Sequence, residues 1–176
     1  MTEIKWDRLY AMLEKLTPLA TDCGKLCGQK CCSLREEGLG MYLFPGEESM
    51  FCTELWCSIQ SYQGGEEYFT GPVKHILNCR GKCPREKRPL ACRLFPLAPY
   101  LSSQGKLEII FDGDALFICP LVKLNKMESL DPAFRQAVYK VWEELLQSPS
   151  LREGVTAYSA RADREAGDPW TRLLGR

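Results

Sequence analysis

Apolar positions recur at helical spacing at both ends of the chain, and the middle breaks that rhythm. Over residues 3–17, Trp6, Leu9, Leu13 and Leu16 fall three or four apart, with Ile4, Tyr10 and Met12 widening the stripe. This spacing predicts an amphipathic helix, with Thr2 at its cap and Pro18 just past its end. Near the other end, Asp131-Pro132 supplies an N-cap and a first-turn proline. Phe134, Val138, Val141, Trp142 and Leu145 then form one apolar face. Ser148-Pro149 opens a further helix to about residue 163. The tail after Gly167 offers only Trp170, Leu173 and Leu174 for docking on the body.

Between these ends the pattern is short and interrupted. Met41 to Phe44, between Gly40 and Pro45-Gly46, predicts a strand ending in a turn. Residues 49–78 are mixed, with a flexible turn expected at Gly64-Gly65. Pro84, Pro89, Pro96 and Pro99 exclude a long regular helix over that stretch. Leu107–Phe111 and Ala115–Cys119 flank Asp112-Gly113-Asp114, which predicts a hairpin. The expected fold is therefore α+β: a mainly helical, small single domain spanning 1–176. Terminal helices at 3–17 and 131–163 would pack on an irregular Cys-ligated middle, 23–120.

Composition changes this picture at one point. The chain has 176 residues and a formal net charge of zero, so bulk charge steers it to neither nucleic acid nor membrane. The segment MTEIKWDRLYAMLEKL lacks the apolar core of a signal peptide. The run ALFICPLV at 115–122 is too short to span a bilayer. A cytoplasmic location is the expectation. Ten cysteines stand out against this ordinary background. In a reducing compartment clustered thiols point to metal or redox chemistry before structural disulfides.

Eight of the ten are grouped: Cys23, Cys27, Cys31 and Cys32 in CGKLCGQKCC, Cys79, Cys83 and Cys92 in CRGKCPREKRPLAC, and Cys119 before Pro120. All eight are candidate metal ligands. Zinc draws four sulfurs to about 2.3 Å from one ion and favours tight C-x2-C turns, which are absent here. A cluster of iron and sulfide holds its thiolates farther apart, and four-residue spacing suits that wider footprint. Gly24 and Gly28 oppose a continuous helix through the first group and favour a loop that aims backbone N–H groups at sulfur. Cys52 and Cys57 read as small buried hydrophobes.

The basic stretch 74–93 reads as counter-charge to a thiolate centre in preference to an anion or acidic-partner site. Within it, Arg88 and Arg93 are candidate cofactor-binding residues that hydrogen-bond the sulfurs. His75, the lone histidine, excludes a His-rich site and reads as an ordinary half-exposed side chain. The acidic pairs Glu36-Glu37, Glu47-Glu48 and Glu66-Glu67 read as solvated loops. No catalytic residue is identified.

The strings CGKLCGQKCC at 23–32 and C-x3-CPREKRPLACRLFP at 79–96, above all Arg88-Pro-x-x-Cys-Arg-x-Phe-Pro96, resemble a family of zinc- or iron-chelating proteins with a CxxCxxCC-type cluster. That family includes the cysteine-rich part of flagellin lysine methylases. The resemblance implies metal binding by Cys23, Cys27, Cys31, Cys32, Cys79, Cys83 and Cys92, with Cys119 an added ligand. The functional expectation is a metal-binding cysteine-cluster protein in electron transfer or metal handling. A 4Fe-4S iron–sulfur cluster is favoured over zinc. The alternatives are a zinc-stabilised structural or interaction module and a methyltransferase-like enzyme, although the chain is much shorter than the methylases and shows no S-adenosylmethionine loop. The physiological protein partner is left open.

Overall fold

A computed structural model describes residues 4–33, 40–61, 67–68, 71–72, 75–80, 83–123 and 126–167. Helix α1 (Trp6–Met12) is shorter than the periodicity predicts, because Leu13 leaves helical geometry and the chain turns through Pro18. Its stripe is nonetheless buried at Leu9, Tyr10 and Leu13. The expected cap, Thr2, lies outside the described residues. Two short turns follow, α2 (Gly24–Cys27) and α3 (Lys30–Ser33).

Strand β1 (Met41–Tyr42) is the edge of a small antiparallel sheet ordered β1-β5-β2, with β2 at Cys57–Ser61 and β5 at His75–Cys79. The strands β2 and β5 fall where the sequence pattern is mixed, and the expected Gly64-Gly65 turn lies outside the described residues. Between them, β3 (Glu67–Tyr68) pairs with β4 (Gly71–Pro72). Gly40 enters β1 where a Cβ atom would sit 2.4 Å from the Leu77 carbonyl oxygen, so only glycine admits this close approach.

After a 3-10 turn at Arg85–Lys87, α4 (Leu90–Leu94) leads into β6 (Leu97–Leu101). The Phe95–Pro96 peptide is cis. The hairpin partner of β7 (Leu107–Phe111) is β6, paired from Leu97↔Phe111 to Leu101↔Leu107, and not residues 115–119 as the Asp-Gly pattern predicts. Two contacts account for the difference. The Asp112 carboxylate accepts from the Asp114 N–H at 2.8 Å, and its carbonyl accepts from the Ala115 N–H at 3.1 Å. Together they start helix α5 (Ala115–Ile118), which α6 (Pro120–Lys123) follows. Pro99 is tolerated in β6 because a two-stranded ribbon leaves each strand one free edge.

The C-terminal half follows its pattern closely. Helix α7 (Pro132–Leu145) has Pro132 at its start, and Asp131 accepts from the Ala133 and Phe134 N–H groups at 2.7 and 3.3 Å. Every member of the expected apolar face is buried. Helix α8 (Pro149–Gly167) extends past the expected end and lies against β6, where buried Ser159 accepts from the Leu101 N–H at 2.8 Å. The core centres on Trp142, whose ring meets Phe44 edge-on at 5.7 Å. Asp131→Ala is expected to cost about 1 kcal/mol through the lost cap, read as a lower urea midpoint with an unchanged slope.

The architecture is a mixture of helices and small antiparallel sheets, an α+β arrangement. Among the described residues no helix is long and apolar enough to cross a membrane.

Candidate metal centre

The first cysteine group does not lie on one helix. Gly28 and Gln29 take left-handed conformations, φ 62° and 59°, between α2 and α3. The helix therefore stops after Cys27 and restarts at Lys30. Glycine makes the first of these angles cheap, so Gly28 sets the break that the sequence hinted at. The Gln29 N–H closes the turn on the Gly24 carbonyl at 3.0 Å. Asp22 accepts from the Gly24 N–H at 3.1 Å and pairs with Arg85 at 3.3 Å. That ion pair ties the first cysteine segment to the second.

The second group is set by α4. Pro89 precedes the helix, and the Leu90 N–H donates to Glu47 at 2.7 Å. Cys92 lies one turn in. Glu47 also accepts from the Phe44 N–H at 2.9 Å and from the Tyr10 hydroxyl. Its side chain is fully buried, so the Glu47-Glu48 pair is not a solvated loop. Burial lifts the Glu47 carboxyl above its ordinary range, against the opposing pull of its three donors and Arg93.

Five cysteines meet at one cavity of about 80 Å³: Cys23, Cys27 and Cys31 from the first segment, Cys92 from α4, and Cys119 from the turn between α5 and α6. Leu13, Leu16, Phe95, Ile118 and Leu121 supply apolar wall, and Arg85, Arg88 and Arg93 supply positive charge. The thiols sense one another. Burial raises the Cys23 thiol, with Asp22, Cys27 and Cys119 adding to the shift. A hydrogen bond with Cys32 raises Cys31 most, followed by burial and by Cys32, Cys23 and Cys27. Burial raises Cys92, with Cys32 and Cys83 adding and Arg88 opposing. Burial also raises Cys119, against backbone N–H groups. Crowded, half-dry thiols resist individual ionisation, and a cation placed among them would reverse that preference.

The remaining expected ligands, Cys32, Cys79 and Cys83, are not on its wall. Cys32 contacts Cys31. Cys83 accepts from Arg88, whose charge is held by that bond and by Cys32 and Cys92 against the cost of burial. Cys79 faces Cys57 across the β2–β5 ladder. Of the two arginines expected to bond sulfur, Arg88 is hydrogen-bonded to Cys83. Arg93 lines the cavity but spends its donors elsewhere, on the carbonyls of Arg88 at 2.9 Å, Tyr10 at 3.4 Å and Glu86. Its guanidinium lies 4.4 Å over the Tyr10 ring.

Cys57 is buried as expected, whereas Cys52 is exposed, its thiol donating to the Glu48 carbonyl at 3.3 Å. His75 is half-exposed and 3.9 Å from Glu48. All ten cysteines are unbridged.

Among the described residues no group of three or more cysteine, histidine or carboxylate side chains is arranged to hold a metal ion. Five of the cysteines share the wall of the cavity with apolar side chains and arginines. Two residues with roles here escape sequence reasoning, Glu47 and Asp22. Neither sits in a motif, and both act through contacts with distant segments. No family model matches the chain, and no curated protein or solved structure matches it.

Proposed function

We propose that the chain is a thiolate metal protein whose centre is a polynuclear iron–sulfur cluster held by Cys23, Cys27, Cys31 and Cys119, with Cys92 on the same wall. The observation that carries this reading is the shared cavity of about 80 Å³ among five cysteines drawn from three separate segments. A tetrahedral zinc site would draw four of these sulfurs to about 2.3 Å from one ion and close much of this cavity. A cluster interposes iron and sulfide and needs that room. The donor set fits: soft sulfur ligands, cations in Arg85, Arg88 and Arg93 to offset the anionic centre, and an apolar wall that limits water. Such a cluster supplies reversible one-electron transfer. The chain's residues hold it, screen it from solvent and set its potential through local charge.

The reading is tested on full-length protein purified without oxygen, by elemental analysis together with the visible spectrum. The expected sample is brown, carries iron and sulfide, and bleaches with dithionite. Colourless protein with stoichiometric zinc would replace the electron carrier with a zinc-stabilised structural module.

A further inference from the structure

A second pair of thiols lies outside the cavity and is placed by backbone geometry alone. The register of the β2–β5 ladder sets Cys57 directly opposite Cys79. One step outward, the Arg80 N–H donates to the Trp56 carbonyl at 2.7 Å. Antiparallel ladders alternate between hydrogen-bonded and non-hydrogen-bonded pairs, so Cys57 and Cys79 occupy a non-hydrogen-bonded position. Facing residues there have Cα atoms about 4.5 Å apart, with their side chains on the same face. That separation falls inside the window of about 4.4–6.8 Å that a disulfide spans without moving the backbone.

The two thiols differ in access. Cys79 is half-buried, whereas Cys57 is 4 % exposed and packed in the main core. This asymmetry orders the chemistry: an outer thiol meets the oxidant and an inner one resolves it. We propose that Cys79 and Cys57 form a thiol–disulfide exchange site whose oxidant is a low-molecular-weight disulfide. The Cys79 thiolate attacks one sulfur of that disulfide, forming a mixed disulfide and releasing one thiolate. The Cys57 thiolate then attacks the Cys79 sulfur, forming the cross-strand bond and expelling the second thiolate. Two cysteine thiols lose two protons and two electrons, and the oxidant becomes two thiols. Burial raises the Cys57 thiol, with Glu54 and Cys83 adding to the shift and Arg80 opposing it. The product locks β2 to β5 four residues before Cys83, whose thiol Arg88 holds. The site does not require the metal reading, because neither cysteine lines the cavity.

The test equilibrates reduced full-length protein with graded ratios of oxidised to reduced glutathione, quenches by alkylation and maps peptides without reduction. Wild type is expected to yield a Cys57–Cys79 linked peptide and to lose two thiols per chain. Cys57→Ser is expected to stop at one glutathione on Cys79. Cys79→Ser is expected to leave Cys57 unmodified, since the inner thiol is never the first attacked. The proposal is overturned if wild-type Cys79 retains glutathione while Cys57 is fully alkylated, or if Cys31–Cys32 accounts for the lost thiols. Cys57→Ser that gains no glutathione at Cys79 would also overturn it.

Discussion

Replacing Glu47 with alanine is expected to remove a large part of the stability of this protein. The substitution strips the acceptor from two buried backbone N–H groups, of Phe44 and Leu90, and from the Tyr10 hydroxyl. Each of the three buried donors left unsatisfied costs about 1–3 kcal/mol, so the loss is roughly 3–9 kcal/mol. A domain of this size is stable by only about 5–15 kcal/mol. Urea unfolding should show a sharply lower midpoint, and an unchanged midpoint would remove the carboxylate from its central role. Because Leu90 begins α4, the same change loosens the helix that carries Cys92. Glu47→Gln retains one acceptor oxygen and should lose less.

The pH dependence separates these variants. The folded carboxyl titrates above the ordinary value of about 4.5, so the native state binds the proton more tightly than the unfolded chain. Stability from this group is therefore full below the ordinary value and declines as pH rises toward the folded one. Glu47→Gln has nothing to titrate. The difference in unfolding free energy between wild type and Glu47→Gln should shrink in wild type's disfavour across that window as pH rises. A difference constant with pH would show that the carboxyl is not shifted upward.

The second large effect concerns metal content. Cys23→Ser and Cys27→Ser, each at the cavity wall, are expected to lower bound iron about tenfold or more after anaerobic loading. Cys52→Ser, exposed and outside the cavity lining, should leave iron unchanged. Equal metal in all three variants would dissolve the proposed ligand set. Arg88→Lys is not conservative at a sulfur-bonded guanidinium and serves as a graded intermediate between them.

What was legible in the sequence depended on local signals. Helix α7 was fully predicted, because Asp131, Pro132 and a five-member apolar face all lie within one continuous segment. The strand pair β2 and β5 was not, because its two halves are separated by 13 residues and neither alternates cleanly. Asp112-Gly113 was misread for a related reason: the dipeptide suits a hairpin, but the Asp112 side chain caps its own turn and starts α5. The cysteines announced a shared chemistry through spacing, and Gly28 announced the break between Cys27 and Cys31. Their sorting into a cavity group and a ladder pair depended on register and burial, which no single segment encodes. Glu47 illustrates the limit. Next to Glu48 it looks like surface charge, and only partners at Tyr10 and Leu90, 37 and 43 residues away, draw it inside.

The break at Gly28–Gln29 has a further consequence. No residue of α2 is buried, whereas α4, which carries Cys92, is anchored in the core by Leu90, Ala91 and Leu94. The α2 part of the cavity wall is thus less anchored than the α4 part. Short segments with few buried contacts open at little free-energy cost while the rest of the fold stays closed. A centre held there as proposed would exchange its α2 ligands by local opening, without global unfolding.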